Sequence, residues 1–250
     1  MKRIILFISI IFCLGSIVSA QSSTVRQAND LYAKGNYTVA AKQYEKILQN
    51  EGEAPELYYN LGNAYYKSGE TAKSILNYER ALRLSPYYDD ASFNLELAQQ
   101  KVVDNIAQSP SLFLWHWIEN LIKLMTSNQW LALSATVFVL SLILAFLFVF
   151  ASSITIRKIS FYLGGVLLVL SIFSGVLSGV RKDQMQNHRE AIVMVGVVTA
   201  KSSPDQSGTD LFQLHEGSKV AIKSTLGKWI EIKLRNGNVG WVEQGTIEKI

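Results

Sequence analysis

Between Lys123 and Arg157 the chain carries no charged side chain, and between Lys158 and Arg181 it carries none again. A bilayer core requires about 20 apolar residues of a helix, and each gap is longer than that. Two core helices of a soluble protein are the alternative, but uncharged runs this long favour the bilayer. The expectation is two transmembrane helices, Trp130 to Ser152 and Ile159 to Val180, joined by a short cytoplasmic loop over residues 153–158 with Arg157 and Lys158. These runs explain a lopsided composition, 49% hydrophobic with only 18% charged. No ionisable residue lies inside either span, which counts against an ion pathway or a transporter.

Residues 1–20, MKRIILFISIIFCLGSIVSA, read as a secretory signal peptide: Lys2 and Arg3, an apolar run, then the small-residue pattern Val18-Ser19-Ala20. An uncleaved anchor helix is the alternative. The one cysteine, Cys13, lies inside this segment, so processing after Ala20 leaves no thiol and no disulfide. Phe12 directly before it argues against a lipoprotein signal. Export followed by two spans puts both soluble parts on one side, the periplasmic face of the cytoplasmic (inner) membrane.

Residues 24–54 and 58–88 align at an offset of 34, the period of a helix-turn-helix repeat. Leu31 pairs with Tyr65, Tyr32 with Tyr66, Gly35 with Gly69, Tyr44 with Tyr78 and Leu48 with Leu82, while the small residues Ala28 and Gly62 fall where helices cross closely. The stretch YYNLGNAYYKSGETAKSILNYERALRLSP resembles the tetratricopeptide repeat family, with Pro86 closing the second unit. A third copy that lacks a second helix caps the stack, so residues 21–107 form two repeats plus a capping helix.

That resemblance implies a concave groove for an extended peptide or a partner helix, lined here by Asn29, Tyr32, Tyr59, Asn60, Asn63, Tyr66, Lys67 and Asn94. Asn29 and Asn60 match the asparagine pair with which chaperone-binding relatives grip a peptide. The basic positions that capture a terminal carboxylate in those relatives hold Val25, Asp90 and Asn94 here, so amide contacts to a peptide backbone remain. An ordinary solvated helix face is the competing reading for each of these residues.

Residues 110–126 place His116, Glu119, Asn120 and Lys123 at helical spacing on an otherwise apolar circumference that includes Trp115 and Trp117. The expectation is an interfacial amphipathic helix in the headgroup layer, with packing on the transmembrane pair as the alternative. From residue 190 to 250 short β-type runs alternate with turns, and Asn236-Gly237 marks a hairpin. The run from Lys201 to Gln244, with Gly240-Trp241, resembles the bacterial SH3 domain, a small barrel. Alternation turns Ile230, Ile232 and Leu234 inward and leaves Trp229 on a face with Glu231 and Lys233. Trp229 and Trp241 are the expected ligand contacts, with a lid over the barrel end as the other role for Trp229. The fold class is thus a multidomain membrane protein: all-α repeats, two transmembrane helices and an all-β SH3-like barrel.

Charge excludes nucleic acid as a partner. Residues 21–110 carry nine basic and eleven acidic side chains and residues 181–250 ten and eight, without the concentrated field a phosphate backbone demands. No phosphate-binding glycine loop, no G-x-S-x-G and no metal-ligand spacing among His116, His188 and His215 points to an enzyme, a cofactor or a metal. His188 and His215 read as surface residues.

The order of these modules, with the second repeat running into LSPYYDDASFNLELAQQKVVD, resembles the BatE-type proteins of the aerotolerance operon along essentially the whole chain. The resemblance implies a scaffold in a membrane complex with von Willebrand factor A-domain membrane proteins and, indirectly, a MoxR-type ATPase, in aerotolerance or envelope and oxidative stress. The alternative is a cell-wall sensor whose SH3-like domain holds peptidoglycan.

Overall fold

The computed structural model describes residues 23–104, 113–187 and 189–250. The signal-peptide reading, the end of the predicted cap at 105–107, residues 110–112 of the predicted amphipathic helix and His188 lie outside them.

Five helices come first: α1 (Ser23–Ala33), α2 (Tyr37–Glu51), α3 (Pro55–Ser68), α4 (Thr71–Leu84) and α5 (Asp89–Gln99). Each pairs with the next in antiparallel hairpins. The repeat period is visible in the packing. Tyr44 and Tyr78, equivalent residues of α2 and α4, are 2% and 1% exposed. Burying a ring of this size stabilises the stack by roughly 2–3 kcal/mol. Each ring sits on the small residue of the preceding helix. A Cβ on Gly62 would lie 2.6 Å from Tyr78 Cε1, so only glycine admits the ring there. Pro55 occupies the first turn of α3, where its missing N–H costs nothing.

After α6 (Phe113–Lys123) come two long apolar helices, α7 (Ser127–Phe150) and α8 (Ile154–Gln186). Both are long and apolar enough to cross a membrane. Leu131, Phe138, Leu142 and Phe146 on α7 and Phe161, Val169, Phe173 and Val176 on α8 all face outward and exposed. The predicted loop 153–158 is shorter than expected: α8 starts at Ile154 and carries Arg157 and Lys158 in its first turns. Arg157 Nε donates to the Ala151 carbonyl at 2.7 Å and so satisfies an acceptor freed at the end of α7. Thr126 and Gln129 form a capping box that starts α7 three residues earlier than predicted.

A ladder of small polar residues holds the two helices together. Ser127, Ser134 and Ser141 recur every seven residues on α7 and face Ser178, Ser171 and Gly164 on α8. Ser134 Oγ donates to the Ser171 carbonyl at 2.9 Å and Ser171 Oγ returns a bond to the Ser134 carbonyl at 3.0 Å. Ser127 and Ser178 repeat the reciprocal pattern at 3.1 and 2.8 Å. Small side chains let the backbones approach, and the hydroxyls bond across the seam. On the side of α8 near the repeats, Trp130 Nε1 donates to the Ile122 carbonyl at 3.2 Å, and Ile122, Trp130 and Leu177 form a cluster. The C-terminal turn of α6 therefore packs on the helix pair, while Trp117 and Glu119 remain exposed.

The last segment is a single antiparallel sheet of β1 (Glu190–Val193), β2 (Val197–Lys201), β3 (Asp210–His215), β4 (Lys219–Leu226), β5 (Trp229–Lys233), β6 (Val239–Glu243) and β7 (Ile247–Lys249). The order is β3-β2-β6-β5-β4-β1-β7. Ile230, Ile232 and Leu234 lie in its core, as the alternation predicts. The Asn236-Gly237 pair turns β5 into β6, with Leu234 N–H donating to the Asn238 carbonyl at 2.9 Å. In β3, Phe212 and Leu214 turn toward the core while Leu211 and Gln213 face outward, the alternation of a half-buried strand.

Candidate partner-binding surfaces

The predicted groove residues divide into two groups. Tyr44 Oη donates to Asn29 Oδ1 at 2.5 Å and Tyr78 Oη to Asn63 Oδ1 at 2.7 Å, the same bond in each repeat. Burial, with Tyr32 adding, pushes the Tyr44 hydroxyl up to about 12, so it stays a donor at physiological pH. Asn94 Nδ2 also donates to Asn63 Oδ1, at 2.8 Å, and reaches the Tyr59 hydroxyl at 3.4 Å. The Tyr59 ring packs against Tyr78 and Tyr88 with centroids 6.2 and 5.0 Å away. Asn29, Tyr59, Asn63 and Asn94 thus knit one helix layer to the next. Asn29 and Asn63 are equivalent positions of the two repeats and make the same bond to a tyrosine.

The second group makes none of these asparagine–tyrosine bonds. Asn60 is half-buried and Lys67 exposed, and neither has a side-chain hydrogen bond among the described residues. Tyr66 lies under the Lys101 ammonium, 3.8 Å from the ring centroid, which is cation–π distance. Tyr32 meets Tyr37 edge-on, centroids 5.2 Å apart.

On the β-domain, Trp229 pairs across the strands with Glu243 and Trp241 with Glu231. Residues directly opposite share a face, so both tryptophans stand half-buried on the outer side of β5 and β6, beside exposed Leu226. Ser224 and Lys223 hold Glu231 at 2.9 and 3.2 Å and keep its carboxyl below the usual range. On the inner face a Cβ on Gly240 would lie 2.9 Å from Ala200 Cβ, so the Gly-Trp pair lets β6 close on β2 while presenting an indole outward.

The domains touch, which sequence reading left open. Ile75, Leu95 and Ala98 of the repeats share one apolar cluster with Ile192 and Ile250 of the β-domain, with Val102 and Met194 packed against it. Ionic contacts surround it. Lys219 Nζ lies 2.8 Å from Glu79 and 2.8 Å from Glu190, and Arg80 Nη2 donates to Glu248 at 2.9 Å and to the Lys249 carbonyl at 2.8 Å. Asp104 accepts from the His215 backbone N–H at 2.6 Å and from Ser218 Oγ at 2.5 Å, and meets His215 Nδ1 at 2.7 Å. His215 is therefore part of the seam rather than a free surface residue. No spacing rule marks Asp104 or Ile192; only the polarity of the segment around them was readable.

Residues 25–89 match the tetratricopeptide repeat family and residues 196–248 the bacterial SH3 domain family. These two modules place the chain among proteins built for contacts with other proteins. Two curated relatives share part of the chain. Tetratricopeptide repeat protein 16 of Homo sapiens is 30% identical over 101 residues, covering 36% of this chain and 12% of that protein. The tetratricopeptide repeat and J domain-containing co-chaperone DNJ1 of Cryptococcus neoformans var. grubii is 30% identical over 92 residues, 36% of this chain and 17% of its own length. The aligned part therefore spans less than a fifth of either relative.

Proposed function

We propose that the chain is a non-catalytic, membrane-anchored adaptor that presents two protein-binding surfaces in a fixed relation. The observation that carries this reading is the seam: two modules of binding families are docked through apolar and ionic contacts at one end of an apolar helix pair. A docked pair differs from two modules on a loose tether. It fixes the geometry in which two ligands meet, and geometry governs how much one binding event favours the next.

The apolar outer faces of α7 and α8 support a two-pass anchor, and contact between the soluble parts supports their lying on one side. The signal-like start supports the periplasmic side of the inner membrane. The resemblance to BatE-type proteins supports partners of the von Willebrand factor A-domain class and a MoxR-type ATPase acting indirectly, in oxygen tolerance or envelope stress.

The test is co-purification of the full chain from solubilised membranes of its own host. Asn60→Ala with Lys67→Glu alters the repeats without touching the packed tyrosine network. Loss of protein partners at unchanged melting temperature supports the adaptor, and unchanged recovery counts against the groove.

A cell-wall sensor is the second reading, favoured by the two outward tryptophans on β5 and β6. Sedimentation of the full chain with purified peptidoglycan, lost in Trp229→Ala, supports it. The full chain is required because an isolated β-domain would expose Ile192 and Ile250.

A further inference from the structure

A cleft of about 440 Å³ opens where the repeats, the end of α8 and the β-domain meet. Arg181 lines it and is only 6% exposed. Among the described residues its guanidinium makes one hydrogen bond, from Nη2 to the Arg83 carbonyl at 3.2 Å. No carboxylate lies within 4.0 Å of it among the described residues. Arg83 beside it carries an unsatisfied donor. Its terminal nitrogens go to Glu53 at 3.0 Å and to the Met185 carbonyl at 3.2 Å, while its Nε is buried without a partner.

Most acidic groups around the cleft already have partners. Asp183 pairs with Arg189 at 2.9 Å, and Glu79 and Glu190 both pair with Lys219 at 2.8 Å. Glu119 and Lys123 stand 4.0 Å apart at the rim. A buried guanidinium without a counter-charge is costly, and an anion from outside the chain removes that cost.

The depth of the site narrows the anion. Arg181 follows the charge-free run directly and sits about one turn beyond Ser178, where the serine ladder ends. α6 lies alongside and is tied to the helix pair through Trp130. On the reading that α7 and α8 cross a bilayer, on which this inference rests, that level is the headgroup layer.

We propose that the cleft binds the phosphate of an anionic lipid headgroup, with Arg181 as its charge partner and Arg83 and Lys123, which line the same cleft, as further cationic groups. The guanidinium fork suits two phosphate oxygens at once, and Arg83 lines the same cleft. The bound lipid neutralises the junction on which the repeats and the β-domain both rest.

The test uses the full chain. Reconstitution into phosphatidylcholine nanodiscs scores the anchor by itself, since a chain that stays in the aqueous fraction fails the membrane reading whatever the cleft does. Incorporated protein is then released into detergent with equal phosphatidylglycerol and phosphatidylcholine, and retained lipid is counted by native mass spectrometry. One phosphatidylglycerol is expected, preferred by about tenfold, a difference of about 1.4 kcal/mol. Arg181→Gln is expected to lose the preference and Arg181→Lys to keep part of it. Because Arg181 also bonds the Arg83 carbonyl, Lys123→Gln at the exposed rim serves as a second variant that leaves melting unchanged, with an expected loss of roughly threefold. Equal retention of the two lipids, or a preference unaltered in both Gln variants, overturns the proposal. Saturable binding of inorganic phosphate that needs Arg181, without any lipid preference, supports the anion site and overturns the lipid as its source.

Discussion

Replacing Gly217 by alanine drives a methyl group into the seam between the two domains. The new Cβ would lie 2.8 Å from Val102 Cγ2 and 3.1 Å from Ile75 Cδ1, both on the repeat side. Gly217 also has φ +84°, a conformation that costs an L-residue about 1–2 kcal/mol. Overpacking adds about 1–3 kcal/mol, because Ile75 is fully buried and has nowhere to move. Gly227 supplies the control: its φ is +59° and its Cβ would meet nothing within 4 Å. Gly227→Ala pays the backbone strain alone, so the difference between the variants isolates the seam at about 1–3 kcal/mol, roughly a 5- to 150-fold change in local opening. Hydrogen exchange of the full chain reads it on α4, on α5 and at residues 100–104, which belong to the repeats and not to the strained loop. Faster exchange there in Gly217→Ala, with Gly227→Ala like the parent, is expected. Equal exchange in the two variants would refute the docking argument.

Three further outcomes are expected. Tyr78→Phe deletes the bond to Asn63 and, by the same geometry, Tyr44→Phe deletes the bond to Asn29; each should lower stability by about 1 kcal/mol in urea titration, with similar values because the repeats are equivalent. Ser134→Ala with Ser171→Ala removes a reciprocal pair and should cost roughly 1 kcal/mol in detergent melts, whereas Gly164→Leu, whose Cβ would already meet Leu144 Cβ at 3.3 Å, should cost more. The seam should also respond to extremes of pH. Burial raises the Asp104 carboxyl, but hydrogen bonds from the His215 N–H, Ser218 and the His215 ring outweigh it and hold the group low. Its contribution is present above the unfolded value of about 4 and is lost as pH falls through the lower folded value. Burial pulls Lys219 down, but Glu79 and then Glu190 outweigh it and hold the ammonium high. Its contribution is complete below about pH 10 and is lost as pH rises through the folded value. Melting curves against pH should show an acid limb that Asp104→Asn flattens and an alkaline limb that Lys219→Met flattens.

Local pattern made much of the fold legible. The 34-residue offset located the paired helices because Tyr44 and Tyr78 fill the same space, and strand alternation placed Ile230, Ile232 and Leu234 in the core. Charge-free runs located α7 and α8, although hydropathy has no signal for a helix end, so the capping box at Thr126 and the early start at Ile154 were missed. The seven-residue spacing of Ser127, Ser134 and Ser141 is present in the sequence but carries no hydropathy signal, because serine counts as neutral on such a scale. Four of the eight expected groove residues, Asn29, Tyr59, Asn63 and Asn94, make contacts between helices that local pattern does not show. Whether an asparagine faces a ligand or a buried tyrosine depends on a side chain fifteen positions away, as with Asn29 and Tyr44 or Asn63 and Tyr78. Contacts between Asp104 and His215, 111 residues apart, lie beyond any local pattern.

Protease added to right-side-out spheroplasts tests most directly the claim that both modules stand as one docked unit outside the cytoplasm. Antibodies to the repeats and to the β-domain follow the two parts separately. The account predicts that both are cleaved, and that Gly217→Ala makes cleavage at residues 100–104 faster. Protection of both would move the unit to the cytoplasm and overturn the export reading. Cleavage of one with protection of the other would contradict the seam itself.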